Sequence, residues 1–184
     1  NIGLDSYLKN SEISLGDVPE EAQKKIIWSN AKKNKTEIAI AFLPGFGTTN
    51  FQQKEFFDKL SQELDANIFL SRLSGHGREH PGSKQMSAEN YLKDTSEAIE
   101  IAKRIGNKVV LIGYSLGGAL TTAASFDEEL SKDLHGVVLF APAYAGTVRN
   151  YSMWFYAMSF LDKINLDCND YINDQKKYDC TKYS

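Results

Sequence analysis

Gly113-Tyr114-Ser115-Leu116-Gly117-Gly118 is the stretch whose residue types and spacing could do chemistry. A serine hydroxyl is a weak nucleophile. It becomes useful when it is lifted clear of its own backbone and faced by groups that take its proton and stabilise the developing charge. A G-x-S-x-G pattern meets the first demand when it joins a strand to a helix, because small flanking residues let the backbone turn sharply and the helix N-terminus behind it favours negative charge. The flanks fit. Residues 108–112 read Lys-Val-Val-Leu-Ile, the β-branched run of a parallel strand buried on both faces, and residues 116–126 are small and apolar and predict a helix. Ser115 is therefore expected on a strand-to-helix turn, with a serine in an ordinary tight turn as the bland alternative.

Two further loops are placed to face that serine. Pro44-Gly45-Phe46-Gly47-Thr48-Thr49 follows the apolar run 37–43, and its glycines leave backbone N–H groups free to approach an anion. Arg72-Leu73-Ser74-Gly75-His76-Gly77 follows a predicted strand over 67–71. Open α/β sheets gather ligands outside the carboxyl ends of their strands, which is where both loops belong.

The elements that must position these loops alternate along the chain. Leu4, Tyr7 and Leu8 recur at helical spacing, and residues 24–30, with Ile26, Ile27 and Trp28, predict an edge strand followed by a polar turn over 30–35. After a threonine N-cap candidate, Phe51, Phe56, Phe57, Leu60 and Leu64 define one apolar face of a helix. Tyr91, Thr95, Ala98, Ala102 and Ile105 define a second, over 87–105, closed by Gly106. Residues 134–141 predict another buried strand, ending at Pro142. Strands alternating with helices in this way predict an α/β fold, a mostly parallel sheet with helices on both faces and right-handed crossovers. From Ala143 the pattern changes: residues 151–161 are aromatic and apolar nearly all round, and 162–184 are polar with no further buried strand. The expected organisation is an incomplete core over 1–147 and a cap-like or lid-like insertion over 148–184, whose aromatics either line a lipophilic pocket or pack against the core.

The totals exclude several classes. A chain of 184 residues, 42% hydrophobic and 24% charged, suits one core and not two comfortable domains. A net charge of −3 with 21 scattered Lys and Arg gives no basic footprint, so no nucleic-acid partner is expected. No apolar run reaches the roughly 18 residues of a membrane span. Cys168 and Cys180 lack metal or redox spacing and are either one local disulfide or two free thiols. No metal or cofactor is expected. The chain begins at Asn1, which suggests trimming and leaves a cytoplasmic or periplasmic address equally open.

In the order of its parts the chain resembles the α/β-hydrolase fold, and within it the lysophospholipase and monoacylglycerol-lipase-like serine esterases. The parts are a strand, the Pro-Gly-Phe-Gly loop, a strand, the Ser-Gly-His-Gly loop, a helix, a strand, the Gly-Tyr-Ser-Leu-Gly-Gly turn, a strand ending in Ala-Pro, and an aromatic insertion. The likeness covers roughly residues 24–161. It implies that Ser115 is an acyl nucleophile attacking a small-molecule carboxylic ester with a lipophilic or monoacyl chain, and that the N–H groups of Leu116 and Phe46 form the oxyanion hole. It also implies that His76 and Tyr114 shape the rim of the site, with His76 not the catalytic base. Family members often carry His-Gly where this chain has Pro44-Gly45, a difference that leaves the Phe46 donor intact.

The family's triad runs Ser, then Asp or Glu, then His. This chain has His76, His80 and His135, and only His135 follows Ser115. It opens its strand whereas Ser115 closes another, a separation of about 20 Å at 3.3 Å per residue. Asp162, Asp167, Asp170, Asp174 and Asp179 lie in the polar tail with no strand ahead to hold them. Three expectations follow. The acid and base, with the last strands, belong to a missing C-terminal segment or a second chain that completes the sheet; or the fold binds without catalysis, as a binding protein or a dead fragment; or Ser115 pairs with His76 as an unconventional dyad. Under the first, the 184-residue chain alone exposes a sheet edge and associates.

Overall fold

Strand residues of alternating direction divide the interior in two. In β2 (Thr36–Leu43), Ala39, Ala41 and Leu43 point into one apolar cluster, while Ile40 and Phe42 point into another. That period of two, buried on both sides, requires a sheet covered on both faces. The computed structural model, which describes residues 2–78 and 85–144, shows such a sheet. Its five strands are ordered β1-β3-β2-β4-β5, with β1 (Lys25–Ile27) antiparallel to β3 (Asn67–Leu70) and the other pairs parallel. This is the α/β-hydrolase fold anticipated above. The described residues up to Ala143 form one compact unit, and the cap-like insertion expected over 148–184 lies outside the described residues.

Helix α1 (Ile2–Ile13), α3 (Ala88–Ile105) and α4 (Leu116–Phe126) contribute to the first cluster, and α2 (Lys54–Leu64) covers the second through Phe57. Helix α3 starts where Ser87 accepts a hydrogen bond from the Asn90 N–H, a side-chain cap that satisfies one orphan donor of the first turn. Its buried stripe, Tyr91, Thr95, Ala98, Ile99, Ala102 and Ile105, matches the predicted face. Gly106 ends it in extended backbone, at φ −155°, because the chain turns straight into β4 (Gly106–Tyr114). A Cβ there would lie 2.5 Å from that of Ala39, so the glycine serves strand approach and not a left-handed cap.

Helix α2 departs from expectation. A 3-10 turn, Asn50–Gln53, precedes it, and the side chain of Thr49 bonds to Gln52 instead of capping the helix. Phe57 is buried, but Phe56 and Leu64 are about half exposed, so the buried stripe is narrower than the apolar one. At the end of the strand order β5 (Leu134–Phe140) presents Val137, Val138, Leu139 and Phe140 at 37–45% exposure.

The N-terminal edge of the sheet is tied by Asn67, fully buried. Its Nδ2 donates to the carbonyls of Asn34 and Ile105, at 2.7 and 2.8 Å, and its Oδ1 accepts from the Ser29 N–H. Buried polar groups fully paired in this way fix register without an unsatisfied-group penalty.

Candidate active site

Ser115 stands between the last residue of β4 and the first of α4, at φ +51° and ψ −113°. Those angles fall outside the regions open to residues with side chains, and a non-glycine residue holds them only when its surroundings over-determine the turn. They do. The Ser115 N–H donates to Phe140 at 2.9 Å, and the Ser115 carbonyl accepts from Ala119 and Ala143. Gly117 donates to Pro44 at 3.1 Å. The turn is thereby bound to β5, to α4 and to the loop after β2.

The two glycines of the motif have physical reasons. A Cβ on Gly113 would lie 2.2 Å from the Gly117 carbonyl oxygen, and one on Gly117 would lie 2.0 Å from that of Leu43. Gly45 is confined less severely, with the Tyr114 ring 3.0 Å and Ser115 Cβ 3.1 Å from where its own Cβ would stand. Backbone from two loops therefore closes on the serine, whose side chain makes no cap hydrogen bond with α4. Leu116 opens α4, so its N–H has no intrahelical acceptor. Among the described residues neither this N–H nor that of Phe46 donates a hydrogen bond. Tyr114 and Phe46 are exposed, at 38% and 41%. Phe56 and Phe140, in edge contact at 6.4 Å between ring centroids, extend the aromatic surface along the same sheet edge.

His76 lies in the loop after β3. It is 2% exposed, its ring lies perpendicular to that of Phe46 at 5.2 Å, and its Nδ1 meets the Ser74 carbonyl at 3.2 Å. It makes no hydrogen bond to Ser115 among the described contacts. Burial lowers its pKa, with the neighbouring Arg72 guanidinium pushing the same way and the bond to Ser74 opposing. Arg72 is itself buried in a forked ion pair with Glu12, at 3.0 and 3.3 Å, and donates to the His76 carbonyl. Asp94 on α3 accepts from both the N–H and the hydroxyl of Ser74, and its burial raises its pKa. No feature of the sequence marked Glu12, Arg72 or Asp94, because their partners are brought together only by the fold.

His135 lies at the start of β5, beside the register shift between Val109 and Val110 and at the opposite end of the strand from Phe140. His80 and the five aspartates of the tail lie outside the described residues. Among the described residues no group of three or more His, Cys, Asp or Glu could hold a metal ion, and no helix is long and apolar enough to cross a membrane. An open groove of about 740 Å³ between α1 and α3 includes Lys35, just before β2, and so lies at the sheet edge away from Ser115.

The sequence profile of the family described as serine aminopeptidase, S33, a hydrolase family, matches residues 34–169, which include the whole of this turn and both of its facing loops. The chain belongs to the S33 family. A Mycoplasma pneumoniae protein provisionally named esterase/lipase 2 is 31% identical over 112 residues, 60% of this chain and 40% of that protein. An Oenococcus oeni α/β superfamily hydrolase shares 26% identity at a TM-score of 0.50, over 68% of this chain and 43% of its own. A monoacylglycerol lipase from Paleococcus ferrophilus shares the fold, at 21% identity and a TM-score of 0.53 over 77% and 51% of the two chains. The S33 chain described here thus spans about half, or less, of the length of the proteins it matches.

Proposed function

We propose that this chain carries the nucleophile and oxyanion hole of a serine hydrolase that cleaves carboxylic esters of lipophilic or monoacyl substrates. One observation carries the reading. Ser115 is held at φ +51° between glycines that admit no Cβ, with its hydroxyl unused as a helix cap and two undonated backbone N–H groups in the flanking segments. In this reading the Ser115 Oγ attacks the ester carbonyl, its proton passes to a base, and the carbonyl oxygen takes negative charge between the N–H groups of Leu116 and Phe46. Collapse expels the alcohol and leaves an acyl-serine, which water hydrolyses. Each aimed donor contributes a few kcal/mol because it is oriented before the charge appears. The N-terminus of α4 adds to the same field.

The base and acid of this reading lie outside the described residues. Since the sequence holds no histidine after His135, we place the histidine on polypeptide beyond these 184 residues, with the strands that would cover β5. The description of the S33 family raises peptides as a second substrate class. An aminopeptidase must accommodate a substrate ammonium, whereas Phe46, Tyr114, Phe56 and Phe140 give this sheet edge an apolar aromatic surface, which suits an acyl chain better.

The test is a fluorophosphonate probe applied to the protein at its natural length, with the adduct mapped by peptide mass. A single adduct on Ser115, absent in Ser115→Ala, is expected. Labelling elsewhere, or ester hydrolysis that survives Ser115→Ala, would overturn the assignment.

A further inference from the structure

His76 is an unusual residue to bury. It is 2% exposed, and its Nε2 has no hydrogen-bond partner among the described residues. Leaving a buried acceptor unpaired is costly, and an apolar side chain of similar size would avoid the cost. What the imidazole provides is a ring whose plane is fixed. Nδ1 is tied to the Ser74 carbonyl, Ser74 is held twice by Asp94 from the side of α3, and the His76 backbone is held by Arg72, itself clamped by Glu12. Aromatic pairs prefer perpendicular contacts, and such a contact constrains both rings only if one of them cannot rotate.

The second ring is that of Phe46, at 87° to the imidazole and 5.2 Å from it. The loop backbone is held at Gly45, whose carbonyl accepts from the N–H and the hydroxyl of Thr48, and at Pro44, which accepts from Gly117. Phe46 itself, however, is 41% exposed, and Gly47 beside it has φ +69° with open space around it. The two loops also meet at Gly77, where a Cβ would come 3.0 Å from Thr49 Cγ2. We propose that His76 is a positioning residue, whose locked ring seats Phe46 and so aims the Phe46 N–H into the oxyanion hole. This rests on the ester-hydrolase reading of Ser115 given above. The orientation set by α3 reaches the reacting oxygen through Asp94, Ser74, His76 and Phe46, none of which needs to exchange a proton with substrate.

The experiment is a double-mutant cycle on the natural-length protein, read by steady-state hydrolysis of a p-nitrophenyl ester. His76→Asn can keep a side-chain donor to Ser74 while losing the ring, and His76→Phe keeps a ring. Losing a whole oxyanion donor costs about 100-fold to 1000-fold in kcat, so a misaimed one is expected to cost about tenfold, at little change in KM. Expected results are that loss for His76→Asn and for Phe46→Ala, a loss for His76→Phe as well because its ring has no bond to Ser74, and a double variant His76→Asn/Phe46→Ala no slower than Phe46→Ala alone. Losses that multiply to about 100-fold in the double variant would mean independent roles and overturn the proposal. So would an unchanged kcat in Phe46→Ala, which decides the matter even if His76→Asn does not fold. Ser115→Ala run alongside separates the two levels. If it retains turnover, the ester-hydrolase reading itself fails; if it is dead while His76→Asn is unimpaired, only the positioning role fails.

Discussion

A Cβ placed on Gly117 would lie 2.0 Å from the carbonyl oxygen of Leu43. Helix α4 and the end of β2 are thus in backbone contact at the proposed site, and the glycine is demanded by space and not by its dihedral angles.

This contact makes Gly117→Ala a severe substitution. Backbone must move to admit the methyl group, and a destabilisation of more than about 3 kcal/mol is expected. Gly47→Ala supplies the contrast: it has φ +69° but nothing near its Cβ, so about 1 kcal/mol of conformational strain is expected. Urea denaturation of the two variants gives both numbers, and equal losses would show that the close approach is relieved cheaply.

Ser115 has the opposite relation to stability. Its positive φ costs about 1 to 3 kcal/mol, which glycine would not incur, although glycine loses about 0.5–1 kcal/mol more chain entropy on folding. Ser115→Gly is therefore expected to be more stable by about 1 kcal/mol while losing all fluorophosphonate labelling. A variant less stable than the parent would show that the hydroxyl contributes to holding the turn.

The buried fork between Arg72 and Glu12 joins α1 to the loop carrying His76, with side chains 5% and 1% exposed. Glu12→Gln leaves the guanidinium buried without its countercharge, at an expected cost of about 3–5 kcal/mol. Lys93 and Glu89 make a solvated counterpart, and Glu89→Gln is expected to leave stability essentially unchanged.

His76, whose pKa in the fold is lowered from 6.5, makes a contribution of definite sign to the pH dependence of stability. The folded state resists the proton that the unfolded chain accepts, so the contribution is complete above pH 6.5 and is lost as pH falls below it toward the folded value. The slope reaches at most about 1.4 kcal/mol per pH unit. The charged or titratable groups packed around this ring are Arg72 with its partner Glu12, Tyr91, and Asp94 through Ser74. Asp94 is shifted upward and acts in the opposite sense, favouring the fold at low pH and less so as pH rises through its folded value. It is common to both proteins when the parent is compared with His76→Phe. Stability curves of the two that stay parallel between pH 7.5 and 5.5 would remove His76 as the source.

Much of the scaffold could be read from local pattern. The strand 108–112 and the helix 116–126 each follow from residues adjacent in sequence, where strand and helix preferences operate. Ser115 could be placed because the motif and its two flanks agree. Other features depend on contacts across long separations. The apolar spacing of α2 could not show that Phe56 meets Phe140 at the open edge of the sheet instead of being covered. A histidine between two glycines suggests a solvent-facing turn, and only the arrival of Phe46, Arg72 and Tyr91 buries His76. Gly106 sits where a helix ends, but Ala39 on the neighbouring strand sets its conformation.

The strand order has a kinetic consequence. The pairing that builds the proposed site joins β2 to β4, from Thr36 with Gly106 to Leu43 with Gly113, across roughly 70 residues of chain. Such a closure is slow relative to local helix formation, because its entropy is spent before the ladder returns any energy. The strained angles at Ser115, which depend on Pro44 and Phe140 as partners, can exist only once that ladder and the one to β5 have formed. During refolding, the reactivity of this serine would therefore rise with the last long-range step and report on completion of the sheet, while far-ultraviolet ellipticity from α3 and α4 would already be in place.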